Sequence, residues 1–182
     1  MSAMIEKLED IQAAELDVAE ERERYPDLAF ALDYWMGKRG DRFAPSRADI
    51  DPVEITSILP RIMLADVERD ASGAVDFLYR LSGTGIGVTH GTELTGQRPR
   101  DLEPAPYGAL IDGHYRAVVE QRRPIAHMIA LRTNKKTRAY ARIILPLSSD
   151  GETVDKLMTV DSATENALHE FLEMIEVLRK KR

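Results

Sequence analysis

Val75, Phe77, Tyr79 and Leu81 alternate with Asp76, Leu78, Arg80 and Ser82. This is the two-residue period of a strand with one apolar face. The run Ile62 to Val67 precedes it, and Asp70-Ala71-Ser72-Gly73 between the two is turn chemistry. Residues 62–82 are therefore predicted to form an antiparallel hairpin. An apolar sheet face must be covered, so this hairpin fixes what the rest of the chain has to supply.

Three further strands are expected. Ile125 to Leu131 is the first. Arg138 to Leu147 follows across the polar turn Thr133-Asn134-Lys135-Lys136, and Val154 to Asp161 follows Ser149-Asp150-Gly151. Between the hairpin and these strands lie a Gly- and Thr-rich stretch, 83–96, read as short irregular helices, and a longer helix over 107–122. Tyr107, Leu110, Ile111, His114 and Val118 share one face of that helix.

The ends read as helical. Residues 3–24 are rich in Ala, Glu, Leu and Arg without Gly or Pro, so a helix is expected there. Its stripe Met4, Leu8, Ile11, Val18 is interrupted by Glu15. Pro26 suits the first turn of a second helix, with Leu28, Leu32, Trp35 and Met36 on one face and Gly37 and Gly40 at its end. Asp51-Pro52-Val53-Glu54 starts a short helix that Pro60 bounds. Ser162-x-x-Glu165 is a capping box opening a last helix with the stripe Leu168, Phe171, Leu172, Ile175, Leu178. The expected fold class is α+β: a five-stranded antiparallel sheet, a helical insertion on one face, and terminal helices over the other. The expected division is 1–58 as N-terminal helical extension and leader, 59–161 as core, and 162–182 as C-terminal amphipathic helix.

Composition removes several chemistries. The 182 residues contain no cysteine, so disulfides, zinc–thiolate centres, iron–sulfur clusters and cysteine nucleophiles are excluded. A net charge of −6 argues against non-specific nucleic-acid binding. No apolar run is long enough to span a bilayer, and MSAMIEKLEDIQ lacks the pattern of a signal peptide, so a cytoplasmic protein without a membrane partner is expected.

Tyr79-Arg80-Leu81-Ser82-Gly83-Thr84 followed by Gly91-Thr92-Glu93-Leu94-Thr95-Gly96 resembles the second-strand exit and small helices of a PAS domain. Upstream, Asp33-Tyr34-Trp35 and Pro45-Ser46-Arg47-Ala48-Asp49-Ile50-Asp51-Pro52 resemble the leader of the short stand-alone PAS-domain proteins of alphaproteobacteria. Ile144-Leu145-Pro146-Leu147 and the acidic turn after it fit the same pattern. The resemblance covers roughly residues 30 to 160. It implies a PAS fold and a role in signal perception or protein–protein docking, with no particular chemistry. It also implies where a ligand would sit, between the 107–122 helix and the inner sheet face. Haem-binding relatives take an iron ligand from that helix, which singles out His114. Light-sensing flavin relatives need an adduct-forming cysteine, which is lacking here.

Candidate pocket residues follow: Phe77, Tyr79, Leu81, Tyr107, Leu110, Ile111, His114, Met128, Arg142 and Ile144, with Ala130 and Met158 beside them. Such a mixed set suits an adaptable cavity, and equally a plain core, which full packing favours. A one-residue slip would move Met128 and Met158 to the other sheet face. Arg80 and Arg142 lie on strands, where a charge needs a partner: an anionic ligand, or an acidic residue of a terminal helix. Gly83-Thr84-Gly85-Ile86-Gly87 lacks the spacing and βαβ context of a dinucleotide loop and is read as a strand exit packed closely. No catalytic spacing is present, so a non-enzymatic module is expected. It would act on signalling proteins as a homodimer through Leu8, Ile11, Leu168, Phe171, Ile175 and Leu178, the alternative being a small-molecule or haem sensor. No metal site is expected, and no cofactor is required.

Overall fold

A computed structural model describes residues 8–86, 93–134 and 137–164. Its elements are β1 (Leu8–Leu16), α1 (Pro26–Arg39), β2 (Ile62–Arg69), β3 (Val75–Ser82), α2 (Ala105–Gln121), β4 (Ile125–Thr133), β5 (Thr137–Leu147) and β6 (Lys156–Asp161). The six strands pair antiparallel in one sheet of order β1-β4-β5-β6-β2-β3. The hairpin and the three later strands stand where the alternation places them. The sheet has six strands instead of five.

The sixth strand is the main correction. Leu8–Leu16 is a strand on the open edge of β4, with Ile11 opposite Leu131 and Ala14 opposite Met128. Helix propensity is a weak preference, a few tenths of a kcal/mol per residue. An unpaired edge beside a buried strand offers a row of backbone partners that outweighs it. Leu8 and Ile11 thus lie on a sheet edge, not on a coiled-coil stripe, and Ile11 packs against the inner core.

Alternation along each strand builds two cores. On the outer face, Ala141, Ile143 and Leu145 of β5 join Met158 and Val160 of β6 under α1 and the leader segment. Pro26 occupies the first turn of α1, and Gly40 closes the helix at φ 56. Trp35 donates from Nε1 to the Pro146 carbonyl at 2.7 Å, and Leu28 is fully buried. Met36, expected on the same stripe, is exposed. The outer cover is therefore α1 plus residues 44–58. The proposed C-terminal helix, with Leu168, Phe171, Ile175 and Leu178, lies outside the described residues.

The inner core lies under α2. Phe77 and Tyr79 of β3, Ile144 of β5 and Leu157 of β6 face Ile111, Tyr115 and Val118 of the helix. Met128, Ala130 and Met158 belong to the outer cluster, so the expected inner placement of all three is off by one residue. Tyr25 confirms the side of Met128 by donating from its hydroxyl to the sulfur at 3.1 Å. Arg80 pairs with Asp66 of β2 at 2.5 Å.

The glycine-rich strand exit packs as expected. Gly83 donates its N–H to the Ile62 carbonyl at 2.8 Å, and a Cβ on Gly83 would lie 2.3 Å from the Pro60 carbonyl oxygen. Backbone cannot yield there as a side chain would. Gly83→Ala is expected to cost about 1–3 kcal/mol, the range of overpacking substitutions, read as a lower urea midpoint at unchanged slope.

Candidate functional site

The central strand β5 carries Tyr140, Arg142 and Ile144 on its inner face, by the same period of two that puts Ala141 and Ile143 outside. Arg142 is 1% exposed. Across the ladder its neighbours are His127 of β4 and Asp161 of β6. A guanidinium out of water needs both hydrogen bonds and opposite charge.

α2 brings most of the rest. His114 and Tyr115 project from consecutive positions, and Tyr107 lies two turns earlier. Arg142 donates from Nη2 to His114 Nδ1 at 3.3 Å, and its guanidinium lies 5.8 Å from the Tyr115 ring centre. The His114 and His127 rings stack at 3.6 Å, nearly parallel. Tyr115 and Thr159 hydroxyls bond at 2.8 Å, and Tyr107 and Tyr140 hydroxyls at 2.7 Å. Three polar contacts thus fasten α2 to the sheet: one to β6 and two to β5.

The electrostatics follow from burial. Removal from water pushes the His114 pKa down to about 2, helped by the Arg142 charge and then by His127. His127 is pushed down to about 4 by burial and by Arg142. Arginine has only donors, so His114 Nδ1 must accept and the proton of its neutral ring sits on Nε2. Burial raises the phenols of Tyr79, Tyr115 and Tyr140, and lifts Tyr107 to about 12. They are neutral hydrogen-bonding groups at ordinary pH. Burial works against the Arg142 charge, but Tyr140, Tyr115, Tyr107 and Asp161 together hold its pKa above the usual arginine value. Asp161 is the acidic residue in that set. Arg142 Nε and His127 Nδ1 are buried without a hydrogen-bond partner among the described residues.

The structure gathers eight of the ten sequence-derived pocket residues: Phe77, Tyr79, Tyr107, Leu110, Ile111, His114, Arg142 and Ile144. Met128 is on the outer face, and Leu81, at 39% exposure, lies at the open end of β3. Sequence reasoning missed Tyr115, His127, Tyr140, Thr159 and Asp161. Their strand parity was available: Tyr140 is two residues from Arg142, and Asp161 two from Thr159. Which strands stand side by side was not. Among the described residues, no group of three or more His, Cys, Asp or Glu is placed to hold a metal.

The PAS-domain family model matches residues 24–160. The chain belongs to the PAS-domain family. The match takes in α1, the leader and the sheet from β2 to β6, while β1 lies outside it. No curated protein matches this PAS domain. Two solved structures are similar at low identity. One is described as "Flavin Analogue Sheds Light on Light-Oxygen-Voltage Domain Mechanism", at 16% identity and TM-score 0.48, covering 69% of this chain and 96% of that one. The other is "Structure of an RNA-binding Light-Oxygen-Voltage Receptor", at 15% identity and TM-score 0.46, covering 75% of this chain and 41% of that one.

Two outcomes are expected. Arg142→Ala removes the donor to His114 and leaves a cavity on the inner face, and is expected to cost about 2–5 kcal/mol in urea unfolding. Both histidines have folded pKa values below their ordinary 6.5, so the unfolded chain takes up protons first. Their contribution is complete above pH 6.5 and is lost as pH falls, down to about 4 for His127 and about 2 for His114. Allowing for partial exposure, the slope is about 1 kcal/mol per pH unit per histidine. His127→Gln is expected to flatten the stability profile between pH 6.5 and 4.

Proposed function

We propose that this PAS domain is a non-enzymatic sensory or protein-docking module in bacterial signal transduction, working in the cytoplasm as a homodimer. PAS domains are in general sensory signalling modules, and family membership carries that part of the reading. No helix among the described residues is long and apolar enough to cross a membrane. The single observation that favours docking over a resident cofactor is the packing of the inner face. Phe77, Tyr79, Ile111, Tyr115 and Ile144 are each 1% exposed or less, and they occupy the space between α2 and the sheet. A signal would then act on the three polar fastenings of α2, which have two natural states, closed and released.

Haem does not fit this arrangement. His114 already accepts from Arg142 and lies flat against His127, with a filled core beside it. A second reading, a sensor for a small anionic molecule, draws on the unpartnered Arg142 Nε and His127 Nδ1. A ligand bridging them would have to displace part of the Tyr115 packing.

The homodimer is assigned to the C-terminal stripe Leu168, Phe171, Ile175 and Leu178, treating 162–182 as a unit apart from the 59–161 core and the 1–58 leader. Ser162 and Thr164 leave the sheet beside Asp27 and Arg24, at the start of α1. Sedimentation at micromolar concentration is expected to give a dimer, and Phe171→Glu with Ile175→Glu a folded monomer. A wild-type monomer at high concentration would refute the dimer. Native mass spectrometry of protein from its own host decides between docking and sensing: a retained small molecule supports the second reading.

A further inference from the structure

A groove of about 610 Å³ opens on the opposite side of the sheet from the Arg142 cluster. Its walls are the end of β1 and the turn after it, the middle of α1, Phe43, and the link from α2 to β4. Leu16, Val18, Leu32, Trp35, Phe43 and Ile143 make its lining apolar. The volume is that of a small-ligand site.

Its charged residues are not equivalent. Arg123 is paired with Glu15 at 3.1 Å. Asp17 caps the turn by accepting from the N–H groups of Ala19 and Glu20 at 2.9 and 3.2 Å. Arg39 and Arg122 make no ion pair among the described residues. The Arg122 guanidinium lies 4.1 Å over the Phe43 ring, and that of Arg39 lies 5.6 Å from Trp35 and donates to the Arg42 carbonyl at 3.2 Å. Aromatic rings hold both cations at the edge of the groove without neutralising them. Guanidinium groups so held retain donors suited to a carboxylate or phosphate.

An apolar lining below two unneutralised guanidiniums matches one ligand class in shape and charge. We propose that this groove binds a free single-chain amphiphile with an anionic head, a fatty carboxylate or alkyl phosphate, the chain lying along Leu32, Met36 and Phe43 above buried Trp35, and the head at Arg39 and Arg122. The site is independent of any ligand in the inner core. Because β1, α1 and the end of α2 all contribute walls, occupancy would tie the edge strand to both layers.

Trp35 is the chain's only tryptophan, so its emission reports on the groove. The probes are dodecanoate and 1-dodecanol as monomers, and phosphatidylglycerol vesicles. Dodecanoate is expected to bind saturably at one site, shift the Trp35 emission and raise the melting temperature. Arg39→Gln with Arg122→Gln is expected to weaken dodecanoate at least tenfold and to change dodecanol less than twofold. Ala19→Phe, from an exposed position at the mouth, is expected to weaken both. None of these residues lies in the core, and the melting temperatures of the unliganded variants check their folding. Absence of saturable dodecanoate binding, equal affinity of the double-Gln variant, indifference to Ala19→Phe, or binding to vesicles alone would each overturn the proposal.

Discussion

β5 is buried on both faces, and the rest of the structure is arranged around that fact. From Ala141 to Leu147 every residue is buried, with β4 and β6 paired along its two sides. A strand covered above and below cannot choose which face is polar. It needs an apolar residue at nearly every position and a neutralised environment for any exception. Arg142 is that exception. His114, Tyr115, His127 and Asp161 stand where they do around it. The polar cluster is thus a consequence of one charge placed in the middle of a two-sided core.

The cluster also fixes how α2 sits on the sheet. α2 would rest on the sheet by apolar packing alone if its inner face carried only Ile111 and Val118. Hydrogen bonds from Tyr107, His114 and Tyr115 add direction, because each is satisfied at one position of the helix. A helix held by a few buried polar contacts has a defined closed position, and leaving it exposes groups that water must then solvate. That is the property the proposed signalling role requires. The neutrality of both imidazoles belongs to the same closed state, since a second cation beside Arg142 would meet like charge at short range.

The leader and β1 solve the opposite face. Leu28, Trp35, Ile50, Ile55 and Ile58 cover the outer side of β4, β5 and β6, and Trp35 adds a hydrogen bond to a carbonyl where Pro146 interrupts regular pairing. β1 then closes the edge of β4. Its sequence, rich in Ala and Glu, is a poor strand by preference and is held by pairing and by Ile11 and Leu16 at its core-facing positions. Local preference and tertiary context disagree there more than anywhere else described.

By itself the sequence determined the hairpin, the three later strands, the insertion helix and the family, because period-two alternation, turn residues and the leader motif are local properties. It also determined that Arg142 needs a partner, since no environment removes the cost of burying a guanidinium. Only the tertiary structure decided which partners it has, that Met128 and Met158 face outward, and that residues 8–16 extend instead of coiling. Each of those depends on which strand lies beside which, and in what register. A shift of one residue reverses every side chain, and an open edge can recruit a segment whose own preference is helical. Neither is written in any local pattern.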